Sequence, residues 1–520
     1  MRFKALMLVA LIPFTGKLES QEPKLGSVHF ATSCSAQAQP IFNRAVALLH
    51  SFEFNEATQE FKQVLAADST CGIAYWGIAL SNWGNPAAPG NRSPELIAAG
   101  LDAVKQGRMI GAKTPREKAY IGAVGSLYDD ASTIDQRTRY AAYRDVLHTI
   151  TTTYPDDVEA KIFYALALAM SADPADKTYA KQLEAGRILD SLVKKYPNHP
   201  GIAHYLIHTY DLPPLASHAL NAAKSYSVIA PGAPHALHMP SHTFTRIGYW
   251  DQSIQSNLKA SNAARVEKAG AEELHDSDYL MYAYLQTCRD QAARALLDQV
   301  PVMFARFDPT RPSSAAPPLA GFYGLAAMPA RYALERGSWR SAANLSVRQT
   351  RFPFTDAITY FARALGAARS GDTSTAIAAI AELNRLRDAL TQQNERYWSE
   401  QTEIQIRGAS AWLAFARGKK DEALTLMNEA ANRESATEKS AVTPGPIAPA
   451  RELLGEMLLE LNRPREALVQ FQKNLEIEPR RYRSVAGAAK SASLIGDRTA
   501  SRKYSAQMRE LCGTRARRLD

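Results

Sequence analysis

The chain has 520 residues, of which 46% are apolar and 22% charged, proportions typical of a folded protein rather than a disordered one. Sixty-one basic residues against 52 acidic ones give a formal net charge of +9. That excess is small for this length and is not concentrated in one region, which argues against a nucleic-acid-binding protein. Four cysteines are too few for a disulfide-rich scaffold.

The amino-terminal residues have the pattern of a secretory signal peptide. Arg2 and Lys4 precede the apolar run Ala5–Phe14, and Ser20 is a small residue suited to a cleavage site. Such a run is about 15 Å long as a helix, too short to cross about 30 Å of hydrocarbon. We therefore expect residues 1–20 to be removed and the protein to be exported, periplasmic or secreted, with no integral membrane segment in the mature chain. A frayed start to a cytosolic protein is the alternative.

Cys34 and Cys71 are the most plausible disulfide pair. Both lie at the starts of neighbouring helical units, and an exported protein meets an oxidising environment that permits such a bond. The sequence leaves open whether the bond forms.

A recurring spacing predicts antiparallel helical hairpins. A turn residue, often Gly, is followed five residues later by Ala or Ser, and another small residue usually stands seven positions before the turn. Small residues on both helices let their backbones approach closely, and the turn residue permits a tight reversal. The turn and following small residues are Phe52/Ala57, Gly248/Ser253, Cys288/Ala293, Gly337/Ala342, Gly371/Ala376, Gly418/Ala423 and Asn462/Ala467. The small residues before the turns are Ala45, Ser241, Ala330, Ala364, Ala411 and Gly455. Strand signals are nearly absent, so the chain is predicted to be all-α.

The packing positions of one unit point to a known repeat. Gly455, Leu458, Ala467, Phe471 and Pro479 stand at the spacings of its packing residues. The sequence here resembles the tetratricopeptide repeat (TPR) family, as an exported bacterial-type member with histidine-rich repeats. The resemblance implies a right-handed α-solenoid whose first helices line a concave surface. It also implies a peptide or protein partner in that groove.

The spacing and composition divide the chain into segments. They are a signal peptide (1–20), amino-terminal TPR-like hairpins (21–90), an irregular helical insertion (91–155), histidine-rich repeats (156–307), a Pro/Ser/Ala-rich linker (308–318), further repeats (319–434), a loop (435–447) and carboxy-terminal repeats (448–520).

Seven of the 11 histidines lie between His199 and His242. The segment from His204 to His208, followed by Thr and an aromatic residue, is repeated 34 residues later from His238 to His242. That offset is one repeat length, so the two pairs are predicted to occupy equivalent places in successive first helices.

Helical spacing extends this pattern into a stripe on the concave surface. The residues predicted to share that stripe are His204, His208, Asp211, His235, His238, His242, His275, Asp278 and Tyr282. His199 and His218 fall outside it and are interpreted as structural. His50 is interpreted as a packing residue.

Two histidine pairs at i,i+4 in register suggest a transition-metal site, with Zn or Cu as the ions that imidazole suits. The predicted ligands are His204, His208, His238 and His242, with His235 and His275 as secondary candidates. Asp211, Asp278 and Tyr282 are candidates for catalytic groups that orient ligands or transfer protons. The alternative is that the histidines are hydrogen-bonded core residues.

Three functions are consistent with this sequence. The first is a binding scaffold for a protein or peptide, whose histidine-lined groove also binds a transition metal. The second is a metal-dependent enzyme of hydrolytic or oxidative type that uses the same histidines. The third is a metal carrier.

Overall fold

A computed structural model describes residues 23–88, 90–311, 315–513 and 515. The predicted signal peptide lies outside these described residues. The chain is 71% helical and its described residues contain no strand. The prediction of an all-α solenoid of helical hairpins is therefore confirmed.

The predicted hairpin spacing is present in the backbone. Each of the seven predicted turn residues has a positive φ, including the non-glycine residues Phe52 (58°), Cys288 (55°) and Asn462 (58°). The small residue five positions after each turn is fully buried, as in Ala57 and Ser253. The left-handed turn and the close helix contact therefore occur together, as the spacing predicted.

The first half of the chain contains the following helices. They are α1 (Ala38–His50), α2 (Phe54–Ala67), α3 (Ala74–Trp83), α4 (Pro94–Ile110), α5 (Pro115–Gly125), α6 (Gln136–Thr153), α7 (Val158–Met170), α8 (Ala180–Val193), α9 (Pro200–Thr209), a 3-10 helix (Ala216–Ala219), α10 (Leu220–Ile229), α11 (Pro234–His238) and α12 (Pro240–Arg246). The segment predicted as an irregular insertion, 91–155, holds three of them.

The second half continues the array. Its helices are α13 (Trp250–Val266), α14 (Gly270–Gln286), α15 (Asp290–Arg306), α16 (Pro318–Glu335), α17 (Trp339–Ala343), α18 (Pro353–Arg369), α19 (Thr373–Gln392), α20 (Arg396–Ala416), α21 (Lys420–Ala436), α22 (Ala450–Glu460), α23 (Pro464–Ile477), α24 (Tyr482–Leu494) and α25 (Arg498–Cys512). No described helix has the length and apolarity needed to span a bilayer.

Glycines set the closeness of individual helix pairs. A Cβ added at Gly77 in α3 would lie 2.1 Å from the ring of Phe61 in α2, and one at Gly455 in α22 would lie 2.8 Å from Phe471 in α23. These distances are shorter than van der Waals contact, so the helices pack this closely only because the glycines have no side chain.

The apolar core falls mainly into two clusters that meet in the middle of the chain. One extends from Leu25 to Phe244, with Ala315 joining it, and the other from Trp250 to Cys512. The histidine-rich helices lie on both sides of this division.

Two disulfides fasten the array. The predicted Cys34–Cys71 bond is present, and it joins residues 37 positions apart. A second bond joins Cys288, the turn residue after α14, to Cys512 in α25, across 224 residues. The sequence pattern did not predict this second pair, because it brings together repeats far apart in the chain.

Residues 437–449, here called the strap, connect α21 to α22 and lie across the inner helices. Arg331 in α16 donates hydrogen bonds to the backbone oxygens of Gly445 (2.8 Å) and Pro446 (2.9 Å) and to the Thr443 hydroxyl (2.8 Å). The Arg331 guanidinium is itself paired with Asp278, and both side chains are fully buried. Backbone groups of the strap are therefore satisfied by the helices beneath it.

Candidate metal centre

Four helices carry the clustered histidines. His204 and His208 are in α9, His235 and His238 in α11, and His242 in α12, while His275 is in α14. Pro240 is the first residue of α12, where its missing N–H leaves no hydrogen bond unmade. It separates α11 from α12, so the predicted continuous helix through His238 and His242 is two short ones.

The histidines form two groups of three. One triad is His204, His208 and His235, and the other is His238, His242 and His275. Within each triad, one ring nitrogen from every member lies within 4.8 Å of the others. Both triads consist of histidine only, and all six side chains are buried, with at most 8% of their surface exposed.

In the first triad, hydrogen bonding determines the tautomer of His204. Its Nδ1 lies 2.6 Å from the backbone oxygen of His50. Because a carbonyl can only accept, Nδ1 carries the proton and Nε2 has a free lone pair. The Nε2 atoms of His204, His208 and His235 are all buried without a hydrogen-bond partner. Three unpaired imidazole nitrogens in one buried group are unusual in a protein interior.

In the second triad, carboxylates determine the tautomers. The Nδ1 of His238 lies 2.8 Å from Asp276 Oδ1, and the Nδ1 of His242 lies 2.9 Å from Asp211 Oδ2. Each Nδ1 therefore donates its proton outward, and each Nε2 presents a lone pair. Carboxylates on the outer nitrogens of histidines are the usual second layer of a metal site.

The two inward nitrogens of this triad face each other. The Nε2 atoms of His238 and His242 are 3.1 Å apart. With both Nδ1 atoms protonated, the neutral rings have no proton to place between these lone pairs. Two nitrogens bound to one tetrahedral ion at 2.0–2.1 Å are ~3.3 Å apart, so the observed separation suits two ligands of one metal.

Burial keeps five of the six rings uncharged. It lowers the pKa of His208 to about 4 and that of His242 to about 3. It also lowers the pKa of His204, His235 and His275 well below the usual 6.5. The free lone pairs needed for metal coordination are therefore present at neutral pH without competition from protons.

Asp211 is the most heavily engaged acid beside the cluster. It accepts from Arg246 Nε at 2.9 Å and forms an ion pair with Lys439 of the strap at 3.0 Å. Burial opposes ionisation of Asp211, but Lys439 and Arg246 outweigh it and hold the pKa of that carboxyl well below its ordinary value. Asp211 is therefore a carboxylate that orients His242.

A cavity of ≈ 30 Å³ lies between the triads. His208 and His235 of one triad and His242 and His275 of the other all line it. Its remaining walls come from three segments outside the histidine helices, including Asn85, Ala315–Pro317 and Val442. The predicted histidine stripe is therefore not exposed on the surface, because loops and the strap cover the cluster.

Comparison with known proteins gives fold-level likeness only. No family model matches the chain, and no curated protein matches it. The chain is similar to the APC/C hetero-tetramer Cut9–Hcn1, with 13% identity over 89% of this chain and 77% of that one, at a TM-score of 0.36. It is also similar to the human IFIT1 dimer with m7Gppp-AAAA (9% identity, 85% and 90% covered, TM-score 0.37). A third similar structure is yeast Tom70 (10% identity, 90% and 99% covered, TM-score 0.32). At these TM-scores the likeness carries no functional argument.

Two of the candidate catalytic residues lie outside the centre. Asp278 is held by Arg331, and the Tyr282 hydroxyl donates to Glu478 at 2.9 Å. Both residues belong to a buried ion network beneath the strap, because they lie about 4.5 Å and about 10.5 Å farther along α14 than His275. Of the predicted catalytic residues, Asp211 alone contacts a clustered histidine.

The secondary candidates have a larger part than predicted. His235 completes the first triad and His275 the second. Sequence reasoning missed Asp276 and Tyr279, whose hydroxyl lies 3.4 Å from His242 Nδ1. Tyr279 stands four residues after His275, so helical spacing could have placed it on the same face. Asp276 gave no such signal, since it is adjacent to His275 in the chain.

A third histidine group has a different character. Glu159 accepts hydrogen bonds from His50 Nε2 (2.8 Å) and His199 Nε2 (2.9 Å), while the Tyr205 hydroxyl pairs with His50 Nδ1 (3.0 Å). The carboxylate and both Nε2 atoms already have partners, which fits the structural interpretation of His50 and His199. His218 is exposed and packs on Tyr210.

Proposed function

We propose that this chain is a helical-repeat protein that binds a transition metal, Zn or Cu, in a buried six-histidine centre. One observation carries the proposal. The Nδ1 atoms of His204, His238 and His242 carry the ring protons, so each Nε2 presents a lone pair. Among the described residues, no hydrogen-bond donor satisfies these lone pairs. A bound cation removes that deficit, and the carboxylates behind His238 and His242 strengthen the ligands.

The covered position of the centre bears on the alternatives. A peptide is far too large for a cavity of ≈ 30 Å³. The enzyme and carrier hypotheses use the same ligands, and they require either a substrate of a few atoms or displacement of the covering segments.

Metal titration tests the proposal. Protein purified without a histidine tag and stripped of metal is titrated with Zn(II) or Cu, and thermal unfolding is followed. We expect a metal-dependent rise in the midpoint that is reduced in His208→Gln and His242→Gln. His199→Gln is the matched control, because His199 is equally buried but outside both triads. An equal metal response in all four proteins would contradict the proposal.

We also propose that the protein acts outside the cytoplasm, periplasmic or secreted. All four cysteines are paired, a state that persists in oxidising compartments. Mass spectrometry of the mature amino terminus tests this, since an intact Met1 on cytosolic protein would contradict it.

A second candidate function is peptide binding at a separate place. A cavity of ≈ 270 Å³ is lined by Phe354, Tyr397, Trp398 and Gln405 and bounded by the strap. Phe354 and Trp398 stack at 4.2 Å, and the buried Gln405 Oε1 has no hydrogen-bond partner. An aromatic wall with an unpaired acceptor suits an apolar side chain and a backbone N–H of a protein or peptide partner.

Selection from a random peptide library tests this second function. Peptides that bind should lose affinity for Gln405→Ala, whose cavity lacks the acceptor. They should keep affinity for Gln393→Ala, because Gln393 is exposed on the outside of the array. Selected peptides that bind both variants equally would show that the cavity is not the site.

A further inference from the structure

The six histidines form two separate donor sets, and this bears on how many ions the centre holds. Neither triad shares a member with the other. Across the division, the closest rings are His208 with His242 and His235 with His238, whose centroids are each 6.1 Å apart. Within the triads, the ring centroids are between 4.6 Å (His238 and His275) and 6.4 Å (His242 and His275) apart. The division into two sets therefore rests on the ring nitrogens, which lie within 4.8 Å of one another in each triad.

A single ion cannot satisfy both sets. Metal–nitrogen bonds to imidazole are about 2.0–2.1 Å long, and transition metals in histidine sites take three or four such ligands. An ion placed in one triad leaves the three buried nitrogens of the other triad without a partner. Each of these nitrogens then has the free-energy cost of a buried, unsatisfied polar group. The small cavity between the triads is lined by rings from both, so the two ions would be neighbours.

We propose that the two triads hold a pair of transition-metal ions, one in each. This inference rests on the proposed function, because it specifies the number of ions in the same centre. Asp211 and Asp276 then serve as outer carboxylates that partly balance the pair.

Anaerobic competition with a chromophoric copper(I) chelator tests the number. We expect two equivalents of copper(I) per chain in the wild type and in the buried control His199→Gln. His204→Gln, in the first triad, and His275→Gln, in the second, should each retain one equivalent. One equivalent in the wild type, or loss of both in either variant while circular dichroism still shows the helical fold, would overturn the inference.

A measurement on the wild-type protein alone avoids dependence on the variants. X-ray absorption of the copper-loaded protein should show the edge of three-coordinate copper(I) with nitrogen neighbours. One bound ion per chain, whether copper or zinc, would overturn the two-ion inference and leave the proposed metal centre intact. Absence of any bound transition metal would instead overturn the proposed function itself.

Discussion

Asp211 and His242 are joined by a hydrogen bond of 2.9 Å, although they lie in different repeats. The same carboxylate contacts Lys439, 228 residues further along the chain. One acid therefore connects the histidine cluster to the strap that covers it. The orientation of His242 and the position of the strap depend on a common group.

The first prediction concerns this carboxylate. Asp211→Asn should reduce metal affinity by roughly 10–100-fold, because a neutral amide lowers the basicity of the His242 ring and no longer fixes its tautomer. Competition with a metal chelator measures the change. Asp251→Asn is the control, since Asp251 is largely exposed. Unchanged affinity in Asp211→Asn would show that His242 is not oriented by this contact.

The second prediction concerns the buried guanidinium beneath the strap. Arg331→Met leaves Asp278 buried without its cation and should lower stability by roughly 3–5 kcal/mol. It also removes the hydrogen bonds to Thr443, Gly445 and Pro446. Tryptic cleavage after Lys439 should therefore become faster than in the wild type. Equal cleavage rates would mean that other contacts hold the strap.

The third prediction concerns helix packing. Gly77→Ala should destabilise the protein by roughly 1–3 kcal/mol, because the added methyl group overlaps the Phe61 ring. Gly122→Ala, inside α5, meets no atom within 4 Å and should be stabilising by about 0.5–1 kcal/mol, since alanine restricts the unfolded chain. Chemical denaturation of the two variants gives the comparison. Similar effects of the two substitutions would contradict the packing argument.

The fourth prediction concerns pH. Burial raises the pKa of Glu434 to about 7, whereas the unfolded chain titrates near 4.5. Between these values the unfolded state loses a proton that the folded state keeps, so this group lowers stability as pH rises from 4.5 to 7. Glu434→Gln removes that contribution and should gain up to about 3 kcal/mol over the wild type by pH 7.

Unfolding midpoints measured from pH 4.5 to 8 check the Glu434 prediction. The difference in unfolding midpoint between Glu434→Gln and the wild type should increase up to pH 7 and then stay constant. Glu476→Gln, at an exposed position, should show no widening. A constant gap in Glu434→Gln would mean that Glu434 is ionised in the folded protein.

The fifth prediction concerns the disulfides. Loop-closure entropy gives stabilisation of roughly 4 kcal/mol for the Cys34–Cys71 bond and roughly 5 kcal/mol for the longer Cys288–Cys512 loop. Peptide mapping without reductant should recover both pairs. Cys288→Ser should lower the unfolding midpoint at least as much as Cys34→Ser. Free thiols detected in the native oxidised protein would contradict the pairing.

Local spacing made the fold predictable. The spacing between a turn residue and its small packing residue lies within one hairpin. Gly248 and Ser253 therefore identify a contact that any chain with this repeat must make. The Cys34–Cys71 bond was predictable for the same reason, since it joins neighbouring units.

The closure of the site was not predictable from such spacing. Lys439 and Val442 reach the histidines from about two hundred residues away, and no period in the sequence connects them to His208 or His242. The predicted stripe also assumed that α14 is aligned with the preceding helices. It therefore placed Asp278 and Tyr282 at the centre, whereas tertiary packing directs them to Arg331 and Glu478.

The long span of the Cys288–Cys512 bond has a consequence for the order of events during synthesis. At 5–20 residues per second, Cys512 is made roughly 10–45 s after Cys288, so the Cys288 thiol waits without its partner. Cys34 meets Cys71 after only 37 residues, within a few seconds. If oxidation is as fast as translation, Cys34 and Cys71 are already bonded when Cys288 is synthesised. The order of synthesis from the amino terminus then prevents incorrect disulfide pairing.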